Sequence, residues 1–128
     1  MSQAPERTAR RKVLIADDDD GIRETLAEAL EDEGWAPATA RNGQEALEKA
    51  NEERFDLLIL DHRMPGLLGG EVHATLRERG IQVPVILMTA ANRVRELAAS
   101  FGIPVFLGKP FQMDDLLQAI ERVTSLGE

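Results

Sequence analysis

The sequence contains no cysteine, and this absence excludes both a disulfide framework and a thiolate metal site. Any bound metal must therefore be held by oxygen or imidazole ligands, which favours a hard cation. Long apolar runs are also absent: none approaches the roughly 20 residues that span a bilayer, and the polar N-terminus lacks the apolar segment of a signal peptide. We expect a cytoplasmic protein that makes no membrane contact.

Basic residues are scarce relative to acidic ones. The chain has 15 lysines and arginines against 23 aspartates and glutamates, and its formal net charge is -8. Direct binding to nucleic acid needs a basic face that releases counterions, so we predict no nucleic-acid partner for this chain. The basic cluster Arg7, Arg10, Arg11 and Lys12 is local, and we interpret residues 1–11 as a flexible N-terminal tail.

The remaining chain has the length and composition of one folded domain. With 128 residues, 43% of them hydrophobic, it can build one core but not two. Apolar runs without polar alternation are typical of strands buried on both faces. Such runs occur at residues 13–15, 55–60, 83–88 and 105–107, with a weaker one at 35–40. Each is followed by apolar residues at helical spacing, which predicts one α/β domain over residues 12–125 with a parallel sheet between two layers of helices.

Polar residues follow four of these strands. Asp17 and Asp18 come after the first strand and Asp61 after the third, while Thr89 and Lys109 follow the fourth and fifth. Because ligands of such sheets bind at the carboxyl ends of the strands, we expect these five residues to converge on one site. Taken singly, each has an ordinary interpretation: the acidic run as a solvated helix N-terminus, Thr89 as a strand-end residue, and Lys109 as a surface lysine before a helix-starting proline.

Together, these residue types indicate phosphoryl chemistry. Three carboxylates in close proximity repel one another unless a cation neutralises them. Mg²⁺ is held by one or two carboxylates plus a phosphate oxygen in many proteins, so the trio suits it, or Mn²⁺. A carboxylate can itself be the nucleophile toward phosphorus, with Lys109 as the neutralising cation and Thr89 as a hydroxyl donor to the phosphoryl oxygens.

Four segments resemble, in order, the signatures of the receiver domain of response regulators, the CheY-like family of two-component signalling. They are Val13-Leu14-Ile15-Ala16-Asp17-Asp18-Asp19, Leu58-Ile59-Leu60-Asp61-His62-Arg63-Met64-Pro65-Gly66, Val85-Ile86-Leu87-Met88-Thr89-Ala90 and Phe106-Leu107-Gly108-Lys109-Pro110-Phe111. The match covers nearly the whole chain. It implies a flavodoxin-like, doubly wound, five-stranded parallel sheet of order 2-1-3-4-5 with five helices.

The resemblance also assigns roles at the site. Asp61 would accept a phosphoryl group from a sensor histidine kinase or a histidine phosphotransfer protein. Asp17 and Asp18 would bind Mg²⁺ together with Asp61 and the backbone carbonyl of Arg63. The domain would be a phosphoacceptor that assists its own phosphorylation and dephosphorylation, and not a conventional enzyme.

Three further residues would transmit the signal. In the family, the residues that match Thr89 and Phe106 form a switch, in which the hydroxyl moves toward the phosphoryl group and the aromatic ring turns inward behind it. Phe106 lacks the hydroxyl of the tyrosine often found there. Ala90 matches a position kept small, so that its backbone amide can approach the phosphoryl oxygens. The readout would be a changed surface for a downstream protein partner, with homodimerisation as a further candidate.

The sequence departs from the family pattern at several positions. A polar residue is usual in place of Leu68, so Leu67 and Leu68 leave two apolar side chains on an exposed loop, either as a contact patch or tucked under the third helix. The stretch from Thr89 to Lys109 is shorter than usual, which predicts a short or irregular fourth helix. The two histidines, His62 and His73, are interpreted as non-ligands. Arg63 and Ala91 lie where the family varies, and we hypothesise that Arg63 flanks the path of the attacking water and changes the acyl-phosphate lifetime.

Three other classes of protein share some of these features. Aspartyl-nucleophile phosphatases of the haloacid dehalogenase class would need a second aspartate where this chain has Arg63. A receiver-like interaction module that no longer accepts phosphate is disfavoured by the joint presence of Asp18, Asp61, Thr89 and Lys109. Nucleotide binding on a Rossmann or P-loop pattern is excluded because no glycine-rich phosphate loop follows the first strand.

Overall fold

Within residues 10–90 and 92–126, which the computed structural model describes, five strands alternate with five helices. The strands are β1 (Lys12–Ala16), β2 (Ala36–Ala40), β3 (Leu57–Asp61), β4 (Val85–Ala90) and β5 (Val105–Lys109). The helices are α1 (Asp20–Asp32), α2 (Gly43–Glu52), α3 (Gly69–Glu78), α4 (Val94–Ser100) and α5 (Met113–Leu126). Residues 1–9 of the predicted tail, and Ala91, lie outside the described residues.

The strands form one parallel sheet of order β2-β1-β3-β4-β5. At its centre, β1 pairs with β3, and Ile15 lies opposite Ile59. The chain passes from β1 outward to β2 and then returns to β3 on the other side of β1. This reversal is the topological switch point, where the loops after neighbouring strands diverge and leave a crevice at the carboxyl edge. The predicted flavodoxin-like fold is confirmed.

The central strands lack polar alternation because both faces of the sheet are covered. Side chains that alternate along β1, β3 and β4 enter two separate hydrophobic clusters. Leu14, Leu58 and Leu87 pack with α2 and α3 on one face, and Ile15, Ile59 and Met88 pack with α1 and α5 on the other. All six side chains are fully buried. The sheet is therefore held in place by packing on both sides, and its carboxyl edge is a fixed platform for polar groups.

The predicted ends of several strands are wrong by a residue or two. Strand β3 ends at Asp61, β4 continues through Thr89 to Ala90, and β5 continues to Lys109. Backbone pairing persists where the apolar run stops: Asp61 lies opposite Met88, and Ala90 lies opposite Lys109. The ladder satisfies backbone groups whatever the side chain, so a hydrophobicity pattern underestimates a strand that ends in functional polar residues.

Local signals fix where the helices begin and end. The Asp19 carboxylate caps α1 by accepting a hydrogen bond from the Ile22 N–H at 3.0 Å, and Asn42 caps α2 in the same way through the Glu45 N–H at 2.7 Å. Gly34 follows α1 with a φ of 98°, the left-handed conformation that glycine adopts without steric cost. Asp19 is therefore occupied with the helix start, which separates its role from that of the two aspartates before it.

Helix α4 spans only seven residues, which confirms the prediction of a short helix. Phe101 follows its last residue and packs against the beginning of α3. The Phe101 and His62 ring centroids lie 5.4 Å apart, and a Cβ on Gly70 would overlap the Phe101 ring. The residue that ends the short helix is thus seated on the start of α3 and on the loop that follows Asp61.

The start of the domain and the location of the protein stay predictions. Arg11, assigned to the tail by its sequence, accepts a hydrogen bond from the Ala36 N–H at 2.8 Å and places its guanidinium 4.3 Å from the Trp35 ring centroid. The domain bounds of 1–11 and 12–125 are not tested by this contact. None of the helices described here is long and apolar enough to cross a membrane.

We predict that Gly69→Ala destabilises the protein by about 1–3 kcal/mol, because an added Cβ would overlap the backbone carbonyl of Asp61, which cannot move without disturbing β3. Urea denaturation measures this change. The matched control is Gly21→Ala on α1, where the added Cβ meets only the Asp19 carboxylate at 3.3 Å, so the change should stay within about 1 kcal/mol. Equal stabilities for the two variants would contradict the close approach at Gly69.

Candidate functional site

The predicted site residues lie at the carboxyl edge of the sheet. Asp17 follows β1 directly, Asp61 is the last residue of β3, and Lys109 is the last residue of β5. Asp17, Asp61 and Thr89 are buried, with 0%, 4% and 4% of their surface exposed, while Asp18 is exposed. Buried polar groups need partners, so the contacts of these side chains define what the site can do.

Asp17, Asp18 and Asp61 form a compact acidic group. One carboxylate oxygen from each lies within 4.8 Å of the others, and this is the single such group of possible metal ligands among the residues described. The donors are all oxygens, and the exposed Asp18 leaves one side open to solvent. This donor set fits Mg²⁺, which prefers oxygen ligands and retains several waters.

Lys109 bridges two of the three carboxylates. Its Nζ lies 2.8 Å from Asp17 Oδ2 and 3.1 Å from Asp61 Oδ1. Burial acts to lower the pKa of Lys109, but its hydrogen bonds to Asp17 and Asp61 and their negative charges outweigh this effect, so the pKa lies above its usual value. The amine therefore stays charged and neutralises part of the acidic group.

Asp61 is the site carboxylate whose pKa departs most clearly from its ordinary value. Burial, and then the charge of Asp17, raise the pKa of Asp61 from 3.8 to about 6, against the opposing effect of Lys109. A perturbed carboxyl group in a crevice is a candidate functional residue, because the protein has placed it where its charge is costly. A positive group bound beside it would favour the ionised, nucleophilic form.

Asp17 is held through both its side chain and its backbone. Its Oδ1 accepts a hydrogen bond from the Asp19 N–H at 2.9 Å, its Oδ2 contacts Lys109, and its N–H donates to the Ala40 carbonyl at 3.2 Å. In addition, the Arg23 guanidinium donates to the Asp17 backbone carbonyl at 2.9 Å. The carboxylate of Asp17 is therefore fixed in direction before any ligand binds.

The sequence interpretation did not identify Arg23. This arginine lies on α1 at the helical spacing of the buried Leu26 and Leu30, and only 9% of its surface is exposed. A charged residue on an otherwise apolar helical stripe was the available signal. A helical periodicity defined by apolar residues alone does not include this arginine.

The predicted switch residues lie on adjacent strands. Leu87 of β4 pairs with Phe106 of β5, and Thr89 pairs with Gly108. The Phe106 side chain is half-buried and packs against the cluster that contains Leu87, whereas Ala90 is exposed at the edge beside Lys109. Thr89 and Ala90 thus lie at the edge of the sheet that carries the acidic group. Phe106 lies on the neighbouring strand, farther from that edge.

The loop after Asp61 begins with a buried histidine. His62 accepts hydrogen bonds from the Gly69 N–H through its carbonyl at 3.0 Å and from the Gly70 N–H through Nδ1 at 3.3 Å. Burial lowers the pKa of His62, and likewise that of His73 on α3. Neither histidine belongs to the acidic group described above. His62 therefore anchors the start of α3, while Arg63 beyond it is exposed.

The two apolar residues before α3 separate in the structure. Leu67 is half-buried and packs against the hydrophobic cluster under α2 and α3. A Cβ on Gly43 would overlap its carbonyl oxygen, so the loop lies directly on the start of α2. Leu68 is the exposed member, at 36%. Of the two interpretations, tucking under the helix holds for Leu67, and a surface contact remains open for Leu68.

The sheet order and the acidic edge together define a flavodoxin-like domain of receiver type. A family model described as the response regulator receiver domain matches residues 13–121. The response regulator MprA of Mycobacterium ulcerans is 38% identical over 120 residues, which cover 90% of this chain and 52% of that protein. MprA of Mycobacterium leprae is 39% identical over 111 residues, which cover 85% of this chain and 49% of that protein.

Solved structures agree in fold. The receiver domain of the Francisella response regulator 1452 superposes with a TM-score of 0.84 at 30% identity, covering 93% of this chain and 100% of that one. The response regulator TrrA of Thermotoga maritima, solved in complex with Mg(2+)-BeF, has a TM-score of 0.80 at 36% identity, covering 88% of this chain and 98% of that one.

The chain belongs to the response regulator receiver domain family of two-component systems, which confirms the family predicted from its motifs. It spans about half the length of the curated relatives it matches. The acidic group, Lys109 and the strand-end hydroxyl lie where the fold of this family has its crevice.

We predict that Asp61→Asn stabilises the metal-free protein near neutral pH. The carboxyl has a pKa of about 6 in the folded protein against an ordinary 3.8, so stability falls as the pH rises through this window and stays lower above it. Asparagine does not ionise, so the variant should be more stable by up to about 3 kcal/mol near pH 7 and by little near pH 4.

Urea denaturation in EDTA over this pH range measures the difference, with wild type as the reference at every pH. A stability difference that does not grow between the acidic and the neutral end would show that Asp61 is not a strained carboxylate.

Proposed function

We propose that Asp61 accepts a phosphoryl group from a phosphohistidine donor, and that Asp17, Asp18 and Lys109 make this transfer favourable. The observation that carries the proposal is the position of Asp61: a buried carboxylate with raised pKa, 3.1 Å from a lysine amine and within 4.8 Å of two more carboxylates. A purely structural role does not explain why three negative charges are placed together.

The covalent step transfers a phosphoryl group from the donor imidazole to the Asp61 carboxylate. One Asp61 carboxylate oxygen forms a bond to phosphorus as the bond between phosphorus and the donor imidazole nitrogen breaks. The bonding electron pair returns to that nitrogen, and the product is an acyl phosphate on Asp61. Such transfers depend on positioning and on neutralising the phosphoryl oxygens more than on covalent assistance from the protein.

Mg²⁺, or Mn²⁺, would be held by the carboxylates of Asp17, Asp18 and Asp61 with the backbone carbonyl of Arg63, and when bound it supplies positive charge to the phosphoryl oxygens. The observed oxygen donors fit such an ion. Asp18 is the exposed member of the group, so it leaves room for the phosphoryl group and for water.

Lys109, Thr89 and Ala90 would contact the new phosphoryl group. Lys109 lies at Asp61 already and can transfer its contact from the carboxylate to a phosphoryl oxygen. The Thr89 hydroxyl and the Ala90 amide lie on the adjacent strand. Phosphorylation would favour the conformer in which these contacts form, with Phe106 turned inward behind Thr89, because a ligand shifts an equilibrium toward the state it binds better.

The receiver acts here as a substrate and switch, not as a conventional enzyme. It would assist its own phosphorylation and dephosphorylation, since the residues that stabilise the transferring phosphoryl group belong to the acceptor itself. The rival function, a module that works without phosphate, does not require the joint presence of Asp18, Asp61 and Lys109.

The donor would be a sensor histidine kinase or a histidine phosphotransfer protein. An apolar groove of about 720 Å³ opens beside Lys109, between α1 and the loop after β5, and it is lined by Ile22, Leu26, Phe111 and Met113 among others. We propose that the histidine-bearing helix of the donor docks there, because the groove is lined by Lys109, which contacts Asp61. The downstream protein target, homodimerisation and the absence of direct nucleic-acid contacts stay predictions for this chain.

The first test is intact-protein mass spectrometry after incubation with acetyl phosphate, with Mg²⁺ or with EDTA. We expect a single phosphoryl adduct on the wild type that requires Mg²⁺ and is absent from Asp61→Asn. Lys109→Met should take up the group at least about tenfold more slowly. An adduct that persists on Asp61→Asn, or no adduct on the wild type, would contradict the proposal.

A second prediction concerns the lifetime of the acyl phosphate. Arg63 is exposed two residues after Asp61, and removal of its side chain in Arg63→Ala should open the approach of water and shorten the lifetime roughly a few-fold. The decay of the phosphoryl adduct after removal of the donor measures this. Arg54→Ala, which removes an exposed arginine before β3 at the opposite edge, is the control and should leave the lifetime unchanged. An unchanged lifetime in Arg63→Ala would reject the role.

A further inference from the structure

Arg23 has two polar partners, and both lie at the start of α1. One guanidinium nitrogen donates to the Asp17 backbone carbonyl at 2.9 Å, and another forms an ion pair with Asp20. The Arg23 side chain is only 11% exposed, whereas that of Asp20 is 77% exposed. The buried guanidinium of Arg23 is therefore directed at the backbone carbonyl of Asp17.

Packing does not explain an arginine at this position. Arg23 continues the stripe of Leu26 and Leu30, which α1 turns toward the sheet. An aliphatic residue would fill such a position without the cost of removing a guanidinium from water, which is several kcal/mol for an isolated ion by general estimates. The cost is offset only through the partners of the guanidinium, so its hydrogen bond to Asp17 identifies what the arginine does.

The accepting oxygen belongs to the peptide that joins Asp17 to Asp18. A peptide unit is planar, so fixing its oxygen also fixes the direction of the Asp18 N–H and the position of the Asp18 Cα. The Asp17 carboxylate is restrained separately, by the Asp19 N–H and Lys109. The exposed Asp18 lies between two restrained peptides: the Arg23 guanidinium holds the one before it, and the Asp17 carboxylate holds the one after it through the Asp19 N–H.

We infer that Arg23 is a positioning residue for the metal site: by holding the Asp17–Asp18 peptide, it sets the direction of the Asp18 carboxylate and thereby the affinity for Mg²⁺. The inference rests on the proposed function, since it assumes that the acidic group binds the ion. Groups that orient metal ligands in this way typically change metal affinity by 10- to 100-fold when they are removed.

The sign of the effect separates positioning from through-space electrostatics. Replacing Arg23 by methionine removes a positive charge near a cation site, which by charge alone should make Mg²⁺ binding tighter. Loss of positioning should make it weaker. A merely structural role predicts lower thermal stability with no change in Mg²⁺ affinity.

The experiment is isothermal titration of Mg²⁺ into the phosphate-free protein, without any phosphodonor. We expect Arg23→Met to weaken Mg²⁺ binding about tenfold. Arg23→Lys keeps the charge but replaces the planar guanidinium, which reaches Asp17 and Asp20 through two separate nitrogens, with a single ammonium nitrogen, so it should weaken binding by roughly a few-fold. If Arg23→Met does not fold, the comparison of Arg23→Lys with wild type decides the question.

Leu30→Ala is the matched control, because it destabilises the same helix by emptying a buried position away from the site. It should bind Mg²⁺ as the wild type does. With acetyl phosphate, the Arg23 variants should need a higher Mg²⁺ concentration than the wild type to reach half of their maximal phosphorylation rate.

The outcomes distinguish failure of the positioning role of Arg23 from failure of the proposed metal site. If the wild type binds Mg²⁺ and takes up phosphate, and the Arg23 variants bind Mg²⁺ equally well or more tightly, only the role of Arg23 is overturned. Loss of affinity of the same size in Leu30→Ala also overturns it. Wild type that binds no Mg²⁺ overturns the proposed metal site and, with it, the positioning role.

Discussion

The crowding of three carboxylates at one edge of the sheet is the constraint on which the rest of the site depends. Their oxygens lie within 4.8 Å of one another, and two of the three side chains are buried, so like-charge repulsion adds to the cost of burial. Lys109 offsets part of this by contacting Asp17 and Asp61 together. The remaining cost, from burial first and from repulsion by Asp17 second, raises the pKa of Asp61. A site built in this way is stabilised by positive charge that enters it.

The fold tolerates this strain because the polar edge and the hydrophobic core are separate. The core consists of two apolar clusters on the faces of the sheet, and neither contains a site carboxylate. The parallel order β2-β1-β3-β4-β5 brings the ends of β1, β3 and β5 to one edge without any contact among their side chains being needed for folding. Close backbone contacts, such as that between Gly69 and Asp61, then fix the loops around the acidic group.

Much of this could be predicted from the sequence, because apolar runs that end in Asp17, Asp61 and Lys109 contain both the sheet and the site. The strand order followed from family resemblance, not from the pattern itself. Strand ends were underestimated since backbone pairing continues under polar side chains such as Thr89. The role of Arg23 could not be derived, because hydropathy treats an arginine as a surface residue, and its backbone partner is six residues away on a turn whose shape only the folded chain defines.

The most direct test of the central claim is the thermal unfolding of the unphosphorylated wild type, in EDTA and at increasing Mg²⁺. If the carboxylates form a strained metal site, Mg²⁺ bound to the folded state raises the free energy of unfolding, by about 2.7 kcal/mol at a hundredfold excess over its dissociation constant. The midpoint should rise steadily with Mg²⁺ concentration. A midpoint that does not move between EDTA and saturating Mg²⁺ would contradict the account, because the crowded carboxylates would then gain nothing from the cation that their arrangement is proposed to hold.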